Sequence, residues 1–290
     1  MVFNICNEML SVNISDIGAE LMSVNSKNTE YLWQGSPKLW EGKAYNLFPI
    51  IGRLNQGIYT YKGETYKMQL HGFLRTSELQ VSKHEKDKIT FELRYNDVTL
   101  AQYPFKFLYR ISYELNKNKI NINYNIVNLD DQPIYFNIGG HPGFNVPLKN
   151  GLKFEDYFIE FSDAKIIKKH ELDKFHFMSG KVIDYELNNG RILPLKHKMF
   201  VNDALIFSDT CKTAALKTLS DQRSVTVNFP DMKYFALWQN AKTKAPFVCM
   251  EIWEGLPSTS TKIDDIETKE DIITLDTKKE YNNSWSIEIN

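Results

Sequence analysis

The sequence predicts an all-β protein, and three observations carry that prediction. Period-two alternation of apolar and polar residues runs through 89–95, 105–115, 119–127, 224–229 and 285–289, the signature of half-buried strands whose side chains face alternate sides. The same runs are rich in Ile, Val, Phe, Tyr and Thr, side chains that suit a pleated surface. No long stretch has helical spacing; the only candidate helices are short, near 168–175 and 268–274. Helices therefore do not alternate with strands, which removes the α/β classes. Many short strands separated by turn residues point to one large β-sandwich or barrel.

The elements follow in order. Gly57 to Tyr61, then Lys62-Gly63, then Glu64 to Met68 reads as a tight hairpin, with Gly63 supplying a positive φ. Polar loop-like stretches occur at 147–152 and 259–269, neither with the character of a linker. There is no repeat and no low-complexity segment. The chain has 290 residues, 42% of them hydrophobic, enough for a real core and too many for wholesale disorder.

Charge narrows the function. Lys+Arg number 35 against 36 Asp+Glu, a net charge of -1, which argues against nucleic acid or an anionic membrane as partner. No apolar run reaches the ~18–20 residues of a membrane span. The first fifteen residues lack a basic leader followed by an apolar stretch, so no secretory signal is expected and the N-x-S at Asn13 carries no weight. Cys6, Cys211 and Cys249 are odd in number and far apart, which suits reduced thiols in a cytoplasm.

Phosphate loop, dinucleotide fingerprint, nucleophile elbow and zinc helix are all missing from the sequence. The six histidines show no tight ligand spacing. No cofactor and no metal are expected, although spacing alone leaves open a metal assembled from distant residues.

Three stretches interrupt apolar sequence with polar chemistry. In Asn46-Leu-Phe-Pro-Ile-Ile-Gly-Arg53-Leu, a guanidinium follows what reads as core, so Arg53 either has a carboxylate partner or lines a polar pocket. Shortly after comes His71-Gly-Phe-Leu-Arg75; the His and Arg there either serve a site or simply tie down a loop. In Tyr135-Phe-Asn-Ile-Gly-Gly-His141-Pro-Gly-Phe-Asn145, a strand-like run ends in glycines, and Pro142 holds His141 extended before a Pro-Gly turn. His141 is placed either as a general acid or base or as a turn cap. In Phe247-Val-Cys-Met-Glu251-Ile-Trp-Glu254, alternation puts Val248, Met250 and Ile252 on one face and Phe247, Cys249, Glu251 and Trp253 on the other. A carboxylate there has a raised pKa and serves as a base, unless Arg53 or a Lys pairs with it.

These segments, in this order and spacing, resemble the aldose 1-epimerase (galactose mutarotase) superfamily, with its pattern FP-x-x-G-R-L, HGF-x-R, G-x-H-P-x-F and a late E-x-W. The likeness spans from about residue 10 to the end and is greatest to the bacterial LacX-like branch. It implies one galactose mutarotase-like domain over 1–290, a large antiparallel β-supersandwich with few short helices. It also implies interconversion of the α and β anomers of a free aldose. Carried over, Glu251 is the base that takes the C1 hydroxyl proton and His141 the acid that protonates the ring oxygen. Arg53 and His71 hold sugar hydroxyls, and Asp203 falls where the family has a substrate-binding aspartate. Those roles require an ionised Glu251 beside a protonated His141, hence an imidazole pKa raised by carboxylate charge. Trp238, Phe73 and Phe144 are candidates to stack on the apolar face of a pyranose or, equally, to be ordinary core.

Two alternatives accompany that reading. A hexose-6-phosphate mutarotase needs a basic cluster; ahead of the FP motif there is only Lys43, but Arg75 could serve. A non-catalytic sugar-binding module would not need both His141 and Glu251. Which aldose is taken and the oligomeric state are not written in the sequence.

Overall fold

The computed structural model describes residues 1–162, 166–241 and 243–290. The alternating runs become long strands of a nine-stranded sheet, among them Lys88–Arg94, Phe107–Asn116, Lys119–Asn128, Asp221–Asn228 and Glu280–Ile289. A seven-stranded sheet is ordered Met178–Glu186, Ile166–Leu172, Leu205–Ser208, Tyr234–Trp238, Phe247–Glu254, Ile138–Asn145, Ala44–Leu47. Neighbouring strands in both are antiparallel. A four-stranded N-terminal sheet and two small ribbons complete the architecture. One ribbon is the expected hairpin, Ile58–Tyr61 with Glu64–Lys67; Lys62 and Gly63 both have positive φ, as a two-residue turn matched to strand twist requires.

The main core fills the space between the two large sheets. Tyr113, Ile122 and Tyr124 enter it from one, and Phe235, Met250 and Ile252 from the other. The alternation read for 247–253 is what the structure has: Val248, Met250 and Ile252 face this core, and Glu251 faces away into a cleft. A buried polar network joins the layers. Asn46 donates to the Gly18 and Ala19 carbonyls, and the Tyr124 hydroxyl, with one hydrogen to give, lies within hydrogen-bond distance of both Asn46 Oδ1 and the Gly139 carbonyl. Satisfied buried groups of this kind fix one arrangement of layers, here directly beneath the strand that carries His141.

Both candidate helices are replaced. Residues 166–172 form a strand paired on both edges, with Met178–Glu186 and Leu205–Ser208. Residues 268–271 are turns and an irregular segment leading to the strand Ile273–Leu275. Sheet neighbours override the weak local preference of the charged stretch. The α-helix among the described residues is Asp97–Leu100, with Asn96 as its N-cap. The turn expected after His141 is also absent. The strand runs on through Asn145, with Pro142 opposite Ala44.

Candidate active site

The cleft opens on the outer face of the seven-stranded sheet. Tyr45 pairs with His141, Ala236 pairs with both Glu251 and Ile206, and the register on either side (Gly140 with Ile252, Gly143 with Cys249) puts Glu251 opposite His141. Tyr45, His141, Glu251 and Ile206 therefore form one cross-strand row, and all four line a cavity of about 550 Å³, within the usual size of small-molecule sites. Among the described residues no group of His, Cys, Asp and Glu has the arrangement of a metal site.

At the cleft's centre, His141 Nε2 and Glu251 Oε2 are 3.2 Å apart, with the side chains 8% and 1% exposed. The expected raised imidazole pKa is not what this geometry produces. Burial pushes the Glu251 carboxyl well up, helped by the Asp203 charge, and pushes the His141 imidazole down to about 3. Both effects disfavour charge and bias the pair toward its neutral form, with one proton to share between carboxyl and imidazole. Among the described residues neither Arg53 nor a Lys pairs with Glu251. Its partners are His141 and the Trp253 indole, which donates to Oε2 at 3.1 Å.

His71 stands edge-on to His141, ring centroids 5.5 Å apart. Its Nδ1 accepts from the Gly52 amide at 3.1 Å while its own amide donates to the Gly52 carbonyl. An accepting Nδ1 places the neutral ring's proton on Nε2. Burial, then the charges of His141, Arg75 and Arg53, keep the His71 pKa well below normal. His71 is thus a fixed neutral donor. The adjoining Gly72 has φ +73, and a Cβ there would come within 2.2 Å of the Phe48 carbonyl oxygen, so only glycine allows this approach.

Arg53 has the carboxylate partner the sequence left open and lines the cleft as well. Its Nη2 lies 3.2 Å from Asp203 Oδ2. Asp203 also accepts from the Trp238 indole at 2.8 Å and faces His176 Nδ1 at 3.7 Å. Its φ of 76° is a conformation Asp tolerates better than most residues. Arg75 lines the cleft too. It lies over the Tyr45 ring at 5.4 Å, Nε donates to the Leu70 carbonyl, and Nη2 reaches Gln69 Oε1 at 3.5 Å; no carboxylate among the described residues pairs with it.

All seven residues singled out as catalytic or binding (His141, Glu251, Arg53, His71, Asp203, Arg75, Trp238) meet in this cleft. Phe73 and Phe144 do not. Both are buried in the main core, 2% and 0% exposed; strand alternation turns Phe144 away from the cleft, and Phe73 enters the core from the bend that leads into the 3-10 turn Leu74–Thr76. The aromatic that was missed is Trp40, whose indole stacks on His141 at 5.0 Å and 30°. It sits in a loop, where no periodicity marks it. His176 is a loop residue missed for the same reason. Trp253 carried a signal, since it lies two positions from Glu251 on the same strand face.

A buried carboxyl–imidazole pair thus sits at the centre of a cleft ringed by neutral and cationic donors, on the outer face of a large antiparallel sheet. A profile of the family "Aldose 1-epimerase" matches residues 1–271, and the chain belongs to that family. It is 31% identical over 296 residues to the chromosomal protein LacX of Lactococcus lactis subsp. lactis, covering 96% of this chain and 97% of that one. A galactose mutarotase related enzyme from Lactobacillus acidophilus superposes with a TM-score of 0.95 at 34% identity, covering 100% of this chain and 97% of that one. A galactose mutarotase-like protein from Lactobacillus casei ATCC 334 gives 0.95 at 30% identity with both chains fully covered. The fold is therefore galactose mutarotase-like. Among the described residues no helix is long and apolar enough to cross a membrane.

Proposed function

We propose that the protein is an aldose 1-epimerase that opens and recloses the ring of an aldose by acid/base transfer between substrate, Glu251 and His141. The observation that carries this is the 3.2 Å contact of the two buried side chains at the cleft's centre. Moving the shared proton from Glu251 to His141 gives a carboxylate and an imidazolium. The carboxylate takes the O1 proton, C1=O1 forms, the C1–O5 bond breaks with its electron pair going to O5, and the imidazolium protonates O5. Rotation about C1–C2 and the reverse transfers give the other anomer. Atoms and electrons balance with no redox partner. Each such proton transfer typically contributes about 10²–10⁴-fold. Arg53, His71 and Asp203 supply donors and an acceptor for ring hydroxyls, and Trp238 offers an aromatic edge to the cleft.

A second reading is favoured by one observation. Arg75 enters the cleft without a carboxylate partner among the described residues, and a guanidinium in that state suits a phosphate. A hexose 6-phosphate would engage it. Lys43 does not help, since its ammonium is turned to the Met22 carbonyl and Gln34.

The test is anomer exchange by NMR or polarimetry on glucose, galactose and glucose 6-phosphate, with Glu251→Gln and His141→Asn as controls. Exchange above the buffer rate that disappears in both controls supports the epimerase and ranks its substrates. Saturable sugar binding without exchange would instead support a non-catalytic sugar-binding module.

A further inference from the structure

We propose that Trp253 is a positioning residue: its indole N–H pins Glu251 Oε2 beside His141 and leaves Oε1 as the oxygen that takes the substrate's proton. This rests on the acid/base reading above and deepens it. Trp253 follows Glu251 by two residues on the Phe247–Glu254 strand, so both project from the same face. Its Nε1 donates to Oε2 at 3.1 Å, and His141 Nε2 approaches that same oxygen at 3.2 Å. Glu251 lines the cavity, and no described residue donates to its Oε1.

The indole is itself fixed. Trp253 is 3% exposed and packs in a small apolar cluster with Leu47, Ile51, Met178 and Tyr234. A Cβ at Gly139, opposite it in the ladder, would lie 3.0 Å from its Cδ1 and 2.6 Å from the Ile252 carbonyl oxygen; the glycine makes room for the ring. An indole can only donate, so this bond favours the carboxylate form and opposes the effect of burial on Glu251.

Two substitutions test this. Trp253→Phe keeps an apolar ring and removes the donor. Replacing Trp253 by 3-benzothienylalanine keeps the indole's shape and removes only the N–H. Glu251 titration is followed by the infrared carboxyl band, with Glu251→Gln as the blank, and kcat and KM for anomer exchange are measured against pH. A hydrogen bond to a charged group, worth ~1.5–3 kcal/mol, corresponds to a rise of about one to two pH units in the Glu251 titration. The expected result is that rise in both variants, with kcat down about tenfold and KM within about twofold. An isosteric variant with wild-type titration and kcat would overturn the proposal. If the wild type moves no aldose, or Glu251→Gln still does, the epimerase reading fails by itself. The infrared titration still decides whether Trp253 holds Glu251.

Discussion

His141 lies directly opposite Glu251 on adjacent antiparallel strands, and their side chains meet 3.2 Å apart on the cleft side of the sheet. Opposed residues in a ladder have Cβ atoms roughly 4.5–5.5 Å apart, so strand register alone brings acid and base within reach. Pro142 lacks an N–H, and the ladder between these strands is interrupted at 141 and 142. The neighbouring strand Ala44–Leu47, on the other edge, keeps its pairing there.

The two members of the pair should give opposite pH trends in stability. His141 falls to about 3 in the fold from roughly 6.5 unfolded. Its contribution is present above pH ~6.5 and lost as pH falls through about 3. Glu251 is raised, so its contribution is present below its unfolded value of ~4.3 and lost as pH rises through the folded value. The melting temperature of His141→Asn should therefore gain on wild type as pH is lowered from 6.5 to 4. That of Glu251→Gln should gain as pH is raised from 4 to 7. Parallel melting curves across pH 4–7 would show that the pair is not buried in this neutral state.

Much of this site was legible in the sequence because polarity breaking an apolar run is costly and so conspicuous. Arg53, His71, His141 and Glu251 were visible for that reason, and alternation placed Glu251 away from the core. The sign of the imidazole shift was not legible, since it depends on how completely the cleft strips His141 of water. Phe73 and Phe144, open in the sequence between sugar stacking and core, are core, a choice composition could not make because it says nothing about facing. Trp40 and His176 lie on loops brought over the sheet from distant sequence, and no local pattern reports that. The hairpin turn at Lys62-Gly63 was visible because its backbone geometry demands particular residues.

Arg53 and Asp203 should matter more for binding than for stability. Their ion pair is part-exposed, 38% and 23% at the side chains, and such pairs contribute roughly 0–1 kcal/mol to folding. Hydrogen bonds from charged groups to a substrate are worth ~1.5–3 kcal/mol. Arg53→Ala is expected to raise KM about 10–100-fold with a smaller fall in kcat, and a melting temperature near wild type. Asp203→Ala should cost more in KM, because it also frees the Trp238 indole and Arg53 from their shared anchor. Steady-state kinetics on the better substrate checks both, and a Arg53→Ala loss confined to kcat would place that residue at the chemistry instead.

Trp40 should affect the chemical step. Its ring stacks on His141 at 5.0 Å and is backed by Phe247 at 5.6 Å. An aromatic face favours a cation above it by ~0.5–2 kcal/mol, and in the proposed mechanism His141 is cationic when it protonates O5. Trp40→Leu is expected to lower kcat by about 2–30-fold, with Trp40→Phe between the two. Equal losses in Phe and Leu variants would point to simple packing.

Arg75 is the residue on which free and phosphorylated sugars can be told apart by experiment. Its guanidinium is held at the cleft by the Leu70 carbonyl, Gln69 and the Tyr45 face, with no carboxylate partner among the described residues. Charge-assisted bonds to phosphate are about twice as strong as neutral ones, while a neutral hydroxyl gains much less from the same group. If the substrate is a hexose 6-phosphate, Arg75→Gln should lower the ratio of kcat/KM for phosphorylated over free sugar by about 10–100-fold. Raising the ionic strength should weaken phosphate binding in the wild type more than in the variant. If Arg75 instead serves only to orient Tyr45, the two sugars will lose activity together and the ratio will not move. Competition kinetics on a mixture of glucose and glucose 6-phosphate reads that ratio directly, free of errors in enzyme concentration.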